Sequence, residues 1–246
     1  MALLSRSASS RPKTADETRM SIISHLEDLR RALIISIIGW VALTLVAFFF
    51  SGQAFQFLVQ RSGVHQVYFT APTDPFTLKL KISLYMGIVV ASPLIFQQLW
   101  WFVSPGLHLK EKRLILPLII ATTFFFLLGV GFALFALPLI IHVLFGFSFV
   151  GLAPLITASE LLSFILGIVI AFGVVFELPV VLYTLGLLRI ISSRWLWKHR
   201  AYWLVALGLI ANVMTPGADP FTPLIVFVPL AIFWLGTTLL LRLTGR

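Results

Sequence analysis

The sequence predicts an all-α polytopic membrane protein, and its composition, its hydropathy and the lengths of its apolar runs support this fold class. Of its 246 residues, 59% are apolar and 11% are charged, whereas a soluble domain carries about 25% charged residues. The mean hydropathy is +1.03. Such a chain has too little polar surface for an ordinary soluble domain and too many apolar residues for a disordered one.

The chain divides into two segments. Residues 1–19 are rich in Ser, Arg and Thr and lack the apolar core of a signal peptide, so we expect a mobile cytoplasmic tail. Residues 20–246 are expected to form one transmembrane domain. It begins with an amphipathic lead-in, residues 21–31, which runs into the first of six apolar stretches. The predicted spans are residues 32–50, 82–103, 114–145, 161–188, 201–214 and 221–241.

The lengths of these spans predict how they cross the bilayer. Residues 32–50 make about 28 Å of helix, close to the thickness of one hydrocarbon core. Residues 114–145 are too long for an upright span, so they are expected to tilt or to project beyond the bilayer. Residues 201–214 make only about 21 Å of helix, which is short for a full crossing.

The distribution of Lys and Arg predicts the topology. Fifteen of the 18 basic residues fall in the N-terminal tail and the lead-in, the loops 104–113 and 189–200, and the C-terminus. The other three lie in the connection after the first span. The positive-inside rule therefore places both termini in the cytoplasm. Four spans followed by a re-entrant hairpin would give the same sides, so both arrangements stay open. The net charge of +9 then reflects basic loops beside anionic lipid rather than nucleic-acid binding.

Three acidic residues lie among the basic residues of this cytoplasmic side. Glu27 can pair with Arg31 in the favoured order along its helix, whereas Asp28 reaches Arg31 only at a separation of three residues. Glu111 lies in the turn between the second and third spans. Either these acids make local ion pairs, or Asp28 and Glu111 receive a ligand with two guanidinium groups. Bidentate pairing would favour Arg over Lys in such a ligand.

Glu177 is predicted to lie inside an apolar span. A charged side chain at mid-bilayer costs at least about 2.5 kcal/mol, so Glu177 must face protein or water, or be protonated. One interpretation is a neutral carboxyl group that hydrogen-bonds to a backbone group left without its helical partner by Pro179. The other is a functional role, the default for an intramembrane acid. Asp74, Asp219 and Glu160 suit turns or helix N-caps.

Motifs for metal binding and catalysis are missing from the sequence. There is no Cys, and the five His are scattered without the HExxH spacing. Neither GxSxG nor a P-loop occurs. We therefore expect no metal site, no cofactor and no enzymatic activity.

Four stretches resemble signatures of the TatC family, which is the multispanning core subunit of the twin-arginine (Sec-independent) protein translocase. They occur in the family's order, on the predicted spans and sides. They are His-Leu-Glu-Asp-Leu-Arg at 25–30, Trp-Phe-Val-Ser-Pro-Gly-Leu at 101–107 with the basic turn at 110–113, Phe-Gly-Val-Val-Phe-Glu-Leu-Pro at 172–179, and Thr-Pro-Gly-Ala-Asp-Pro-Phe at 215–221.

The resemblance implies a receptor for signal peptides that carry two consecutive arginines. It also implies assembly with single-span subunits of the TatA and TatB type, homo-oligomerisation in a larger complex, and export of folded proteins across the bacterial cytoplasmic membrane, driven by the proton-motive force. The implied fold is a concave, glove-like wall of six helices whose last two are short.

The resemblance also assigns residues by position. Signal-peptide binding falls on Asp28, Glu111, Arg30, Phe102 and Pro105, with Glu27 as an alternative because Asp28 is one methylene shorter than the usual Glu. The intramembrane polar site falls on Glu177, beside the concave face expected to accept the hydrophobic part of the signal. The last periplasmic turn contains Pro216 and Asp219.

Two other functions fit parts of the sequence. A proton-coupled transporter of small solutes would use Glu177 as its proton carrier, although no inverted repeat is visible. An intramembrane enzyme would need a catalytic constellation, which the sequence lacks.

Overall fold

The computed structural model describes residues 15–104, 112–149, 155–214 and 222–245, without the side chains of residues 15–22, 112 and 214. Within these ranges the chain forms eight α-helices and a short 3-10 turn, Lys112–Leu114. The α-helices are α1 (Ala15–Ser62), α2 (Asp74–Val103), α3 (Ile115–Phe145), α4 (Ala158–Val175), α5 (Leu178–Leu187), α6 (Ser193–Lys198), α7 (Arg200–Met214) and α8 (Thr222–Leu243).

The predicted all-α polytopic fold is confirmed. Five stretches of the described chain are long and apolar enough to cross a membrane: α1, α2, α3, the α4–α5 pair and α8. Helix α7 has 15 residues and makes about 22 Å of helix, less than the hydrocarbon thickness of about 30 Å. Its shortness agrees with the sequence.

Helix α1 extends well beyond the predicted span. It is a single helix of 48 residues, about 72 Å long, that starts inside the predicted tail and ends at Ser62. The amphipathic lead-in and the span therefore share one axis. Two serines in this extension bond to their own helix. Ser51 Oγ donates to the carbonyl of Phe48, and Ser62 Oγ donates to that of Val59, both at 2.7 Å.

The predicted span 161–188 is divided into α4 and α5. Phe176 ends α4 and Glu177 precedes the first residue of α5, with Pro179 in the first turn of α5. Proline has no N–H and its ring clashes with the carbonyl four residues earlier, so a regular helix cannot run through it unchanged. The division places Glu177 at a helix junction rather than in a helix interior.

Helix α4 lies at the centre of the packing. Most of its side chains are buried, whereas those of α1 are mostly exposed. Gly129 of α3 lies directly against the backbone of Phe172 in α4, which lets the two helices approach closely. Around this contact, Phe132 lies 5.3 Å from Phe172 and 5.4 Å from Phe176, between ring centroids, and Phe176 meets Phe233 of α8 edge-on at 4.7 Å. These rings join α3, α4 and α8 into one core.

Helices α1 and α2 form a hairpin beside this core. Trp40 Nε1 donates to the carbonyl of Leu84 at 3.1 Å, and Gly87 packs against Thr44. Arg61 Nε donates to the carbonyl of Leu134 in α3 at 3.0 Å, so the end of the hairpin is tied to the core.

The connections after α1 and after α3 are joined to each other. Tyr68 N donates to Ile156 O at 3.0 Å and Ala158 N donates to Tyr68 O at 2.7 Å. The sequence predicts both connections on the non-cytoplasmic side, and their pairing requires that they share a side.

Of the residues predicted for turns or helix caps, Asp74 takes the turn role, and the cap predicted at Glu160 is corrected. The carboxylate of Asp74 accepts from the backbone N–H of Thr70 at 2.9 Å and of Ala71 at 3.0 Å, so it closes the preceding turn. The cap of α4 is Thr157, whose Oγ1 accepts from Glu160 N at 3.3 Å. Glu160 is the third helical residue, so its carboxylate is not the cap.

Gly129→Ala should destabilise the protein by about 1–3 kcal/mol, the usual cost of overpacking. A methyl group there would lie 2.8 Å from the carbonyl carbon of Phe172, and backbone cannot move aside without separating α3 from α4. Gly131→Ala is the matched control, because its methyl group meets nothing within 4 Å. Thermal unfolding in detergent tests this, and equal melting temperatures for the two variants would contradict it.

Candidate functional site

The structure describes five of the nine residues that the sequence assigns to sites. They are Glu27, Asp28, Arg30, Phe102 and Glu177. The other four lie outside the described residues: Pro105, Glu111, Pro216 and Asp219.

A stacked ring pair brings the first two motifs together. The imidazole of His25, near the start of α1, lies parallel to the ring of Phe102 at the end of α2, with centroids 4.3 Å apart and planes 15° apart. Phe102 is one of the predicted site residues. The stack therefore places the part of α1 that carries Asp28 beside the end of α2.

Helical geometry separates Asp28 from Glu27. At about 100° per residue, Asp28 lies about 60° around α1 from His25, whereas Glu27 lies about 160° away. Since His25 faces Phe102, Asp28 lies on the side of α1 that faces the end of α2, and Glu27 lies on the opposite side. The geometry favours Asp28 as the acid that shares a surface with the end of α2.

The acids at the start of α1 are accessible. Glu27, Asp28 and Arg30 are all exposed, and within the described chain no ion pair or hydrogen bond engages the carboxylate of Glu27 or Asp28. The local pair between Glu27 and Arg31 that the sequence allows is therefore not formed. An incoming cation would not have to displace a described partner from either acid.

The end of α2 is anchored to α3. Trp100 is buried, and its Nε1 donates to Thr122 Oγ1 at 3.3 Å. Thr122 Oγ1 in turn lies 2.9 Å from the carbonyl of Leu118, to which it donates. This anchor fixes Phe102 two residues further along. The sequence analysis did not identify Trp100. A tryptophan that hydrogen-bonds inside the protein and one that lies at the membrane interface can have the same sequence context.

Glu177 lies apart from this pair. It is half-buried at the α4–α5 junction, and its Oε1 is buried with no hydrogen-bond partner among the described residues. The adjacent Phe176 packs in the phenylalanine cluster. No described contact joins Glu177 to His25 or Phe102. The structure thus presents two separate polar features, one exposed at a helix end and one inside the apolar core region.

Metal ligands do not converge in the part of the chain that the structure describes. No group of three or more His, Asp or Glu side chains lies close enough there to hold an ion. The exposed features are suited to binding a charged partner.

Comparison with known proteins identifies the family. The family model described as Sec-independent protein translocase protein (TatC) matches residues 24–229. The chain belongs to the TatC family. It is 36% identical to the Sec-independent protein translocase protein TatC of Carboxydothermus hydrogenoformans, over 89% of this chain and 91% of that protein. It is 35% identical to the TatC of Aquifex aeolicus, over 92% and 97% of the two chains.

The fold agrees with solved TatC structures. Two crystal structures described as the twin arginine translocase receptor TatC match with TM-scores of 0.78 and 0.77, each at 34% identity. They cover 88% and 90% of this chain, and the match spans 99% and 100% of theirs. This TatC protein is therefore a multi-pass membrane component of the Sec-independent translocase. The resemblance stated from four short motifs is confirmed over most of the chain.

Glu177→Leu should leave the stability of this TatC unchanged or raise it by about 1–2 kcal/mol. A buried polar atom without a partner costs about 1–3 kcal/mol, and an apolar replacement removes that cost. Phe176→Ala is the neighbouring comparison and should destabilise by about 3–5 kcal/mol, because it empties a buried ring position. Thermal unfolding in detergent measures both. A large loss of stability in Glu177→Leu would mean that the carboxyl holds the fold together.

Proposed function

We propose that this TatC protein is the signal-peptide receptor of a twin-arginine translocase in a bacterial cytoplasmic membrane. Both termini lie in the cytoplasm. It binds the paired arginines of a signal peptide and assembles, as a homo-oligomer, with single-span subunits of the TatA and TatB type. The assembled complex exports folded proteins with the proton-motive force. TatC itself acts by binding rather than by catalysis.

The observation that carries the proposal is the His25–Phe102 stack. It joins the start of α1 to the end of α2, and these are the two stretches whose motifs the sequence assigns to signal-peptide binding. A receptor built from two distant stretches of sequence requires that they meet in space. The solved proteins that match this chain are described as twin arginine translocase receptors, which also supports the proposal.

The chemistry of the two acids suits an arginine pair. A carboxylate binds a guanidinium through two parallel hydrogen bonds, and two carboxylates on one surface can hold two neighbouring arginines. Asp28 is exposed and without a described partner. Glu111 supplies the second carboxylate from the loop that follows Phe102. We assign Arg30 and Pro105 to the same site by their motifs, and the hydrophobic part of the signal to the region of Glu177.

Two independent observations support the proposed topology. Fifteen of 18 basic residues fall on one side of the six segments. The backbone pairing of Tyr68 with the residues around Thr157 joins the two connections that this topology places outside the cytoplasm. Pro216 and Asp219 fall in the connection between α7 and α8, on the same outer side.

Asp28→Lys combined with Glu111→Lys should weaken the binding of a twin-arginine signal peptide by at least about 100-fold. Each lost charged hydrogen-bonding partner is worth about 1.5–3 kcal/mol, and 1.4 kcal/mol is a factor of ten. Crosslinking of the purified protein to a twin-arginine precursor measures this. Binding at wild-type strength in the double variant would refute the assigned site.

Two single variants control for charge and position. Glu160→Lys makes the same charge change as either single replacement, at an exposed residue of α4, and it should bind as the wild type does. Glu27→Lys changes the acid on the opposite side of α1 and should weaken binding by less than Asp28→Lys. If Glu27→Lys is the more damaging change, Glu27 rather than Asp28 contacts the arginines.

A signal peptide with two lysines in place of the arginines should bind about tenfold more weakly or worse. Lysine keeps the charge but cannot make the planar bidentate contact, and losing about 1.4 kcal/mol gives a factor of ten. Competition against the labelled arginine peptide measures the ratio. Equal binding of the two peptides would show that net charge alone is recognised.

A further inference from the structure

A large cavity opens between α6 and the C-terminal half of α8, away from the His25–Phe102 surface. Its volume is about 1140 Å³, above the range of about 300–1,000 Å³ typical of small-molecule sites. Three of its lining residues are basic: Arg194, Lys198 and Arg242. None of its described lining residues is acidic. The cavity is therefore a concentration of positive charge in a chain where only 11% of residues are charged.

The walls of the cavity are held in place by buried residues. Leu196 of α6 is fully buried, and Trp197 stacks on the buried Trp234 of α8 with planes 6° apart and centroids 6.3 Å apart. The guanidinium of Arg200 lies 5.5 Å from the centre of the Trp197 ring. These contacts fix α6 against α8, so the basic side chains of both helices face one preformed space.

One wall of the cavity is apolar and continues along α8. Leu235 and Leu239 lie one helical turn apart on this wall, and both are exposed. Gly236 lies beside them, and a side chain there would meet nothing within 4 Å. The cavity thus combines three cations with a strip of helix that offers apolar contact, the combination that an amphiphilic anion needs.

We propose that this cavity binds an anionic phospholipid of the cytoplasmic leaflet. Arg194, Lys198 and Arg242 contact its phosphate, and its acyl chains lie along Leu235 and Leu239. Basic pockets between membrane helices on the cytoplasmic side are suited to such head groups, because that leaflet is negatively charged. The exposed Trp195 and Trp197 mark the level of the interface, where tryptophan is enriched.

The lipid has a structural consequence. Helix α6 has six residues and α7 has 15, so neither is anchored by a long apolar span of its own. A lipid held between α6 and α8 would fix the loop that joins α5 to α7 at the membrane surface.

The test uses the full chain purified in detergent and a fluorescent phosphatidylglycerol, with unlabelled phosphatidylglycerol, phosphatidylcholine and inorganic phosphate as competitors. We expect phosphatidylglycerol to compete strongly and phosphatidylcholine weakly. Inorganic phosphate should compete only weakly because it lacks acyl chains. If phosphate competes as strongly as phosphatidylglycerol, the ligand of the cavity is a free anion rather than a lipid, and the proposal is overturned.

Two variants test the two halves of the site. The triple change Arg194→Gln, Lys198→Gln and Arg242→Gln should weaken binding on the order of 100-fold, since each cation near a lipid surface contributes about fivefold. Gly236→Phe keeps all three cations and places a ring in the open space, so it should also weaken binding, by about tenfold or more. All four positions are exposed, so these variants should fold.

The matched control is the triple change Arg31→Gln, Lys79→Gln and Arg113→Gln. It removes the same charge from exposed residues outside the cavity and should bind phosphatidylglycerol within about twofold of the wild type. Equal losses in both triple variants would mean that net charge alone attracts the lipid. Wild-type binding in the cavity triple variant, or in Gly236→Phe, would also overturn the proposal.

Discussion

The close contact between α3 and α4 is the packing on which the remaining helices depend. Lipid tails are as apolar as leucine, so membrane helices associate through tight packing rather than through the hydrophobic effect. Gly129 lets the backbone of α3 reach that of Phe172, and the phenylalanine rings around this point extend the contact to α8. With α4 held centrally, the α1–α2 hairpin and the α5–α8 pair each pack against a fixed neighbour.

This packing also determines where polar groups can lie. The interior is filled by aromatic and aliphatic side chains, and backbone groups within the helices bond to one another, as a bilayer requires. Polar chemistry is therefore displaced to helix ends, as in the exposed start of α1 and the cavity beside α8. Glu177 lies inside the packing because the α4–α5 junction interrupts a helix there. The Oε1 atom of Glu177 has no hydrogen-bond partner among the described residues, so it contributes no hydrogen bond to the fold.

The sequence was sufficient for the fold class and the approximate spans, because hydropathy reports directly on the bilayer environment. It also identified the short helix α7, since length alone decides whether a helix can cross. The length of α1 could not be predicted, because the hydrogen bonds of Ser51 and Ser62 to their own helix depend on rotamers rather than on residue type. The division at Glu177 was signalled by Pro179, but a proline can also be accommodated within a continuous membrane helix.

The candidate site was only partly predictable for a related reason. Motifs identified Asp28 and Phe102 separately, and their two helices are brought together by His25, a residue whose sequence context suggests neither a ring partner nor a direction. That stack places Asp28 nearer than Glu27 to the side of α1 that faces the end of α2, which sequence spacing alone left open. The anchoring of Trp100 by Thr122 is likewise a long-range contact without a local pattern.

The two ends of the α1–α2 hairpin are held with different strength, and this difference suits a receptor. At the end near Tyr68, two backbone hydrogen bonds of 2.7 and 3.0 Å and the turn closed by Asp74 fix the connections. At the start of α1, the described ring contact to α2 is one stack, worth about 0.5–1.5 kcal/mol. A contact of so small an energy can be exchanged for contacts with a bound peptide, while the hydrogen bonds at the opposite end keep the helices in register.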